Sequence, residues 1–124
     1  MSKYIIVGGV AGGATAAARL RRLDETAEII LFERGEDISF ANCGLPYYVG
    51  DVISQRDDLL LQTPEKFRAL YHVDVRVRSE VTRIDTEKCE VEVRTAERVY
   101  RESYDALLLS PGAQPLCPSI PGIE

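Results

Sequence analysis

Tyr4-Ile-Ile-Val7 runs without a break into Gly8-Gly-Val-Ala-Gly-Gly13, and from there into Ala14-Thr-Ala-Ala-Ala-Arg-Leu-Arg-Arg-Leu23. This junction constrains the fold more than any other stretch of the chain. A short, wholly apolar run suits a strand buried on both faces of a parallel sheet. Alanine, leucine and arginine favour helix. The small residues at the start of that helix let it approach the strand closely. Asp24-Glu-Thr26 closes the helix, and Glu28-Ile-Ile-Leu-Phe-Glu33 supplies a second apolar strand. Two parallel strands joined by a crossover helix form a βαβ unit. The chain is therefore expected to be α/β.

The glycine loop itself carries chemistry. Glycines in the first strand-to-helix turn let the backbone come close to a pyrophosphate, while the helix N-terminus offers unpaired N–H groups and a favourable dipole. Gly8, Gly9, Val10, Ala11, Gly12 and Gly13 are the candidate cradle. The pattern departs from a strict G-x-G-x-x-G, because Val10 stands where the middle glycine would be; Gly12 restores room nearby. Glu33 lies 20 residues after Gly13, at the end of the second strand. A carboxylate there can accept hydrogen bonds from an adenosine ribose. It disfavours a 2′-phosphate, so FAD or NAD(H) is expected in preference to NADP(H). The plainer alternatives are a turn that only packs a helix on a sheet and a solvated Glu33.

Beyond residue 58 the pattern changes. Thr63 caps a helix that starts at Pro64, with Lys66 leaving the capping box half complete. His72 to Val77 alternates as a strand, and so do Glu80 to Ile84 and Cys89 to Arg94. Their period of two indicates an antiparallel arrangement with one wet face. Val99 to Glu102 adds a short strand, and Tyr104 to Ser110 reads as a buried strand returning to the main sheet. The expected organisation is a Rossmann-like three-layer domain over residues 1–110, with a small antiparallel β meander inserted at about 73–103. Residues 111–124 hold four of the chain's six prolines and read as a connection to something longer.

Composition removes several function classes. The chain has 124 residues, 15 Lys+Arg against 20 Asp+Glu, and a net charge of −5, whereas nucleic-acid binding usually rests on a basic footprint. No apolar run approaches the roughly 20 residues a membrane span needs. Met1-Ser2-Lys3 leads straight into the first strand, so no leader is expected. Three widely spaced cysteines form neither a disulfide framework nor a zinc pattern, and no metal site is expected. A reducing, cytoplasmic setting follows.

Cys43 is the remaining signal. It lies in Ser39-Phe-Ala-Asn-Cys-Gly-Leu-Pro-Tyr47 with no CxxC partner, and its neighbours Gly44 and Pro46 indicate a turn. A lone thiol close after a nucleotide-type strand reads either as a redox nucleophile or as a small space-filling residue. Thr15, Arg19 and Arg22 are four and three residues apart and share one helix face. That face is either a solvated stripe or an anion-binding wall, since arginine's forked donors match phosphate. Asn42 and Ser39 are placed to orient a substrate near the thiol. Cys89 reads as structural, Cys117 has no assigned role, and His72 reads as a loop or strand-edge residue.

Val7 to Leu23, Phe32-Glu-Arg34, Ile38 to Gly50, Thr63 to Phe67 and Tyr104 to Ala113 together resemble the flavoprotein pyridine nucleotide–disulfide oxidoreductases. Within them the chain is most similar to the single-cysteine branch of coenzyme A-disulfide reductases and related persulfide reductases. The cysteine segment is the specific part of this resemblance; the glycine loop is shared widely. The resemblance implies FAD on the first βαβ unit, held at Gly8, Gly12, Gly13, Glu33, Arg34, the backbone of Val81, Ser110 and Gly112. It implies NAD(P)H as co-substrate, Cys43 as redox nucleophile with Asn42 beside it, and coenzyme A contacts at Thr15, Arg19, Arg22, Ser39 and Asn42. Tyr71 stands where members commonly carry a lysine that also meets coenzyme A, with Arg68 or His72 as possible compensation. Ala11 replaces the loop histidine of related NADH oxidases and peroxidases, which favours sulfur over oxygen as electron acceptor. The oxidase or peroxidase reading and a non-catalytic redox-sensing module remain the alternatives. The resemblance covers only the first part of an FAD domain. A nicotinamide domain and a homodimerisation domain are expected beyond residue 124, with this stretch inactive by itself.

Overall fold

The computed structural model describes all 124 residues. Strand β1 (Lys3–Val7) leads into helix α1 (Ala11–Leu23) and strand β2 (Glu28–Phe32). Three short helical segments follow: a 3-10 turn at Asn42–Gly44, helix α2 (Leu45–Val49), and a second 3-10 turn at Arg56–Leu59. Helix α3 (Pro64–Tyr71) precedes strands β3 (Asp74–Arg76), β4 (Glu80–Asp85), β5 (Glu90–Arg94), β6 (Val99–Ser103) and β7 (Ala106–Leu109). Thr63 caps α3 by accepting the Lys66 N–H at 3.2 Å, with Pro64 in the first turn.

One sheet is wholly parallel, in the order β3-β2-β1-β7, and the other is an antiparallel meander, β4-β5-β6. The alternation of β1 and β2 explains why three layers form. Ile6, Ile29 and Leu31 face one way, into a cluster with Ala14, Ala17, Ile38, Phe67, Val73 and Val75 beneath the helices. Ile5, Ile30 and Phe32 face the other way, against Val91 and Val93 of the meander. Each of these isoleucines is essentially fully buried, and each such side chain contributes about 1.5–3 kcal/mol. The order is thus helices, parallel sheet, meander, as the sequence predicts.

Three expectations change in detail. Residues 74–76 do not belong to the antiparallel insert: they pair in parallel with Ile30–Phe32, because Val73 and Val75 bury under α3 and draw the strand to the main sheet. The insert therefore begins at β4. Cys89 sits in the turn before β5, exposed and with φ of +53°, rather than in the strand. The Asp85 carboxylate builds that turn by accepting the N–H groups of Glu87 and Lys88, both at 3.1 Å. The strand β7 joins the main sheet beside β1 as expected, yet Leu108 and Leu109 are exposed because β7 is an edge.

A charged cluster pins the meander to the parallel sheet. Glu102 of β6 accepts from Lys3 Nζ at 2.7 Å and from Arg76 Nη1 at 2.8 Å. Arg76 also donates to Asp74 and, at 3.2 Å, to the Tyr100 hydroxyl, with its guanidinium over the rings of Phe32 and Tyr100. Burial opposes charge on both partners, but the hydrogen bonds outweigh it. The Glu102 carboxyl is held below the usual glutamate range, and the Arg76 guanidinium is held above its own. A depressed folded-state value means that the stabilisation is present above the ordinary glutamate pKa and is lost as pH falls through the depressed one. Glu102→Gln is expected to lower unfolding stability by about 1–3 kcal/mol at neutral pH. Urea titrations at about pH 7 and about pH 3 will show the two proteins converging at the acid end.

Candidate functional site

Helix α1 meets β1 at van der Waals limits, and this closeness builds the site. A Cβ on Gly13 would sit 1.7 Å from the Gly8 carbonyl oxygen. Gly8 has φ of +101°, and a Cβ there would sit 1.8 Å from the Ser110 carbonyl oxygen. A side chain at either position would thus collide with backbone, which cannot give way. The first backbone bond within α1 is from Ala14 N–H to the Val10 carbonyl at 3.0 Å. The N–H groups of Ala11, Gly12 and Gly13 therefore point out of the helix unspent, and no side chain caps them and no acidic residue occupies the first turn. Ser110 presses its hydroxyl towards Gly12, where a Cβ would come within 2.4 Å.

Around that junction, at the carboxyl ends of β1, β2 and β7, lies an open cleft of about 310 Å³. Gly8, Glu33, Arg34, Val81 and Gly112 line it together, although they come from four separate stretches of sequence. Ligands of open α/β sheets bind in such crevices. The Glu33 carboxylate accepts from Gly9 N–H at 3.1 Å and from Gly35 N–H at 2.6 Å. Two backbone donors fix it at the cleft wall and leave lone pairs free, since a carboxylate offers about four acceptor sites. Arg34 is exposed and takes part in no ion pair.

Sequence reasoning missed part of this wall. Ser79 is 5% exposed and lines the cleft, its hydroxyl donating to the Val77 carbonyl at 3.0 Å. Pro111, Ala113 and Gln114 line it as well. The only sequence hint of Ser79 was a polar residue just ahead of an alternating strand. Of the expected cofactor residues, Gly9, Val10, Ala11, Gly12, Gly13 and Ser110 lie around the helix start and do not line the cleft.

The cysteine segment lies apart from the cleft but is tied to it. Cys43 and Asn42 are exposed on the 3-10 turn. Ser39, with φ of +51°, donates its N–H to the Gly9 carbonyl at 2.8 Å and accepts from Leu61 N–H at 3.1 Å. Ala41 donates to the Leu59 carbonyl at 2.7 Å, and Arg56 stands over the Phe40 ring in an ion pair with Asp37. A Cβ on Gly44 would meet Leu59 at 2.7 Å, so the turn behind the thiol is tightly seated.

Thr15, Arg19 and Arg22 are all exposed on one side of α1, and neither arginine has an ion-pair or hydrogen-bonding partner. Tyr71 is half-buried, its ring 4.8 Å from that of Phe67. Arg68 is committed to the Val75 carbonyl, and His72 is the exposed left-handed residue that ends α3. Of the two candidates to supplement Tyr71, His72 alone is unspent. Cys117 is exposed in the tail, and no helix of the chain is long and apolar enough to cross a membrane.

This arrangement recurs in known proteins. The coenzyme A disulfide reductase of Staphylococcus epidermidis is 50% identical over 115 residues, which is 91% of this chain and 26% of that protein. The crystal structure of reduced CoADR-RHD from Bacillus anthracis superposes with a TM-score of 0.93 at 56% identity, over 98% of this chain and 22% of that one. A NAD-dependent persulfide reductase from A. fulgidus gives a TM-score of 0.91 at 36% identity, over 98% of this chain and 23% of that one. The chain thus spans about a quarter of the length of the curated relatives it matches. With residues 2–124 matching the family model, the glycine-loop cleft and the neighbouring cysteine strap belong to a member of the pyridine nucleotide-disulphide oxidoreductase family.

Proposed function

We propose that this chain is the opening part of an FAD-dependent, NAD(P)H-driven reductase of coenzyme A disulfide or coenzyme A persulfide. The observation that carries the reading is a single backbone link. Ser39, at the head of the Cys43 strap, is bonded to Gly9 of the glycine loop, whose N–H in turn holds Glu33. A backbone bond thereby ties the glycine loop to the segment that carries the exposed Cys43 thiol.

The residues fit the cofactor. Gly8 and Gly13 keep clear a cradle that a Cβ would fill, and α1 presents free N–H groups to a pyrophosphate. Glu33 would accept from the adenosine ribose, with Arg34, Val81, Ser110 and Gly112 along the cofactor. When bound, the flavin supplies the electron pair, drawn from a nicotinamide, that cleaves the mixed disulfide.

Cys43 does the sulfur chemistry. Its thiolate attacks one sulfur of the disulfide; a new S–S bond to Cys43 forms, the substrate S–S bond breaks, and one coenzyme A leaves as thiolate. Two electrons and a proton then release the second coenzyme A as thiol and restore the Cys43 thiolate. With a persulfide, the outer sulfur transfers to Cys43 and leaves as sulfide on reduction. Asn42 and Ser39 would orient the substrate, while Thr15, Arg19, Arg22 and Tyr71 would hold its anionic end. Ala11 places no imidazole in the glycine loop, which favours sulfur over the oxygen or peroxide chemistry of an oxidase.

Residues 1–110 would be the first part of the FAD domain, and residues 111–124 a connection towards a nicotinamide domain. An apolar groove of about 330 Å³ lined by Tyr4, Ala16, Leu20 and Leu108, beside the free edge of β7, supports this reading: a further strand and helix would cover it. The complete protein would be a cytoplasmic homodimer acting on small thiols or disulfides, with no nucleic-acid or membrane partner, and the isolated stretch would turn nothing over.

Two experiments test the assignment on the complete protein. Mass spectrometry without reductant is expected to find a coenzyme A adduct on Cys43 after incubation with coenzyme A disulfide. Cys43→Ser should abolish both the adduct and NAD(P)H-dependent reduction while keeping the flavin; an unmodified Cys43 in an active enzyme would sink the proposal. Glu33→Gln should weaken FAD binding about tenfold or more in a fluorescence titration, because it removes a charged acceptor.

A further inference from the structure

The three arginines of α1 are not equivalent. Arg19 and Arg22 are exposed and unpaired, whereas Arg21 is spent entirely on the protein's own backbone. Its Nε donates to the Tyr71 carbonyl at 2.8 Å and its Nη2 to the His72 carbonyl at 3.0 Å. Its Nη1 donates to the carbonyls of Asp24 at 3.1 Å and Glu25 at 2.9 Å. One guanidinium thus closes two chain reversals at once: the exit of α1 and the left-handed exit of α3, where His72 has φ of +51°. These are carbonyls that helix ends leave without partners, and a planar fork satisfies several of them in fixed directions.

The consequence lies in what is attached to those two ends. Arg22 is the next residue of α1, and Arg19 lies one turn back on the same outward side as Thr15. Tyr71 is the last residue of α3, and His72 is its C-cap. The far end of α3 is held separately, by the Thr63 cap and by the Phe67 ring in the core. Arg21 thus ties the end of α1 that carries the free cations directly to Tyr71 and His72.

We propose that Arg21 is a positioning residue: it locks the last turn of α1 against the end of α3, and so shapes one anion-binding wall from Arg19, Arg22 and the Tyr71–His72 corner. This rests on the reading above that the wall receives the phosphates of coenzyme A. Arg21 is held on the protein's own backbone instead, since each of its three nitrogens donates to a backbone carbonyl.

The test uses the complete reductase with coenzyme A disulfide as the varied substrate. Arg21→Ala is expected to raise KM about tenfold with kcat within about twofold of wild type, because the loss falls on binding that is uniform through the reaction. In an Arg22→Ala background the same change should raise KM less than about threefold, since the wall it would disorder is already broken. Arg21→Lys should fall between, as a point charge reaches some carbonyls without the fork. Flavin content and kcat report whether the domain remains intact; if Arg21→Ala loses flavin, Arg21→Lys alone and in the Arg22→Ala background carries the same comparison. A wild-type KM in Arg21→Ala beside a raised one in Arg22→Ala overturns the positioning role alone. Equal increases from the Arg21 change in both backgrounds also overturn it, because they mark a merely structural residue. A wild-type enzyme that never saturates with coenzyme A disulfide overturns both this inference and the substrate reading beneath it.

Discussion

Everything near the cleft depends on how closely α1 approaches β1. The Gly13 Cα hydrogens lie against the Gly8 carbonyl, and there is no room for one more carbon. That approach does three things together. It buries Ala14 and Ala17 on the parallel sheet, it starts α1 with N–H groups that no side chain caps, and it brings Ser110 against Gly12. A helix displaced by one methyl group would lose packing along its length, because interiors tolerate few voids. It would also move the positive end of its dipole away from any bound anion. Packing and the placement of these donors are here one constraint.

The second constraint is that both faces of the parallel sheet must be covered. Neighbouring residues of β1 and β2 alternate into two separate cores. The helices cover one, and the meander covers the other through Val91 and Val93. Apolar contact sets no register between layers, since it has no direction. The Glu102 bridge to Lys3 and Arg76 supplies direction at the margin of that contact, which is where ion pairs keep some desolvation without full burial. The outcome matters for the site, because β4 brings Val81, and the turn before it brings Ser79, to the cleft.

Much of this was legible in the sequence, for identifiable reasons. Tyr4 to Val7, the glycine loop and Glu28 to Phe32 are local signals whose period and composition agree with the fold they adopt. Glu33 was legible from its spacing to Gly13. What was not legible depended on contacts far apart along the chain. The parallel pairing of Asp74–Arg76 could not be told from an antiparallel one, because alternation reports which side is wet and not which neighbour is bonded. The exposed leucines of β7 looked buried, because an apolar run does not say whether a strand is central or at an edge. Arg21 was read only as a helix former among other arginines; its role appears once the ends of α1 and α3 are seen side by side. Ser79 became part of the cleft only through the turn that carries Arg78 at φ of +51°.

Gly9 shows why the cysteine strap cannot be considered apart from the cleft. Its N–H holds the Glu33 carboxylate, and its carbonyl accepts from Ser39. The two backbone groups of one residue are thus shared between the acid at the cleft wall and the segment that ends in Cys43. The position has no slack for a side chain: a Cβ on Gly9 would lie 2.6 Å from Ile38 and 3.1 Å from Leu31. Ile38 is itself fully buried, so it cannot retreat without opening the core. Ser39 then turns sharply out of that core with a left-handed backbone, which non-glycine residues adopt only when their surroundings hold them there. The strap is therefore hung from the glycine loop at its base and held by Leu59 and Leu61 along its length, while its tip stays open to solvent. The Cys43 thiol at that tip is open to approach from solvent, the access that the thiol exchange proposed above requires.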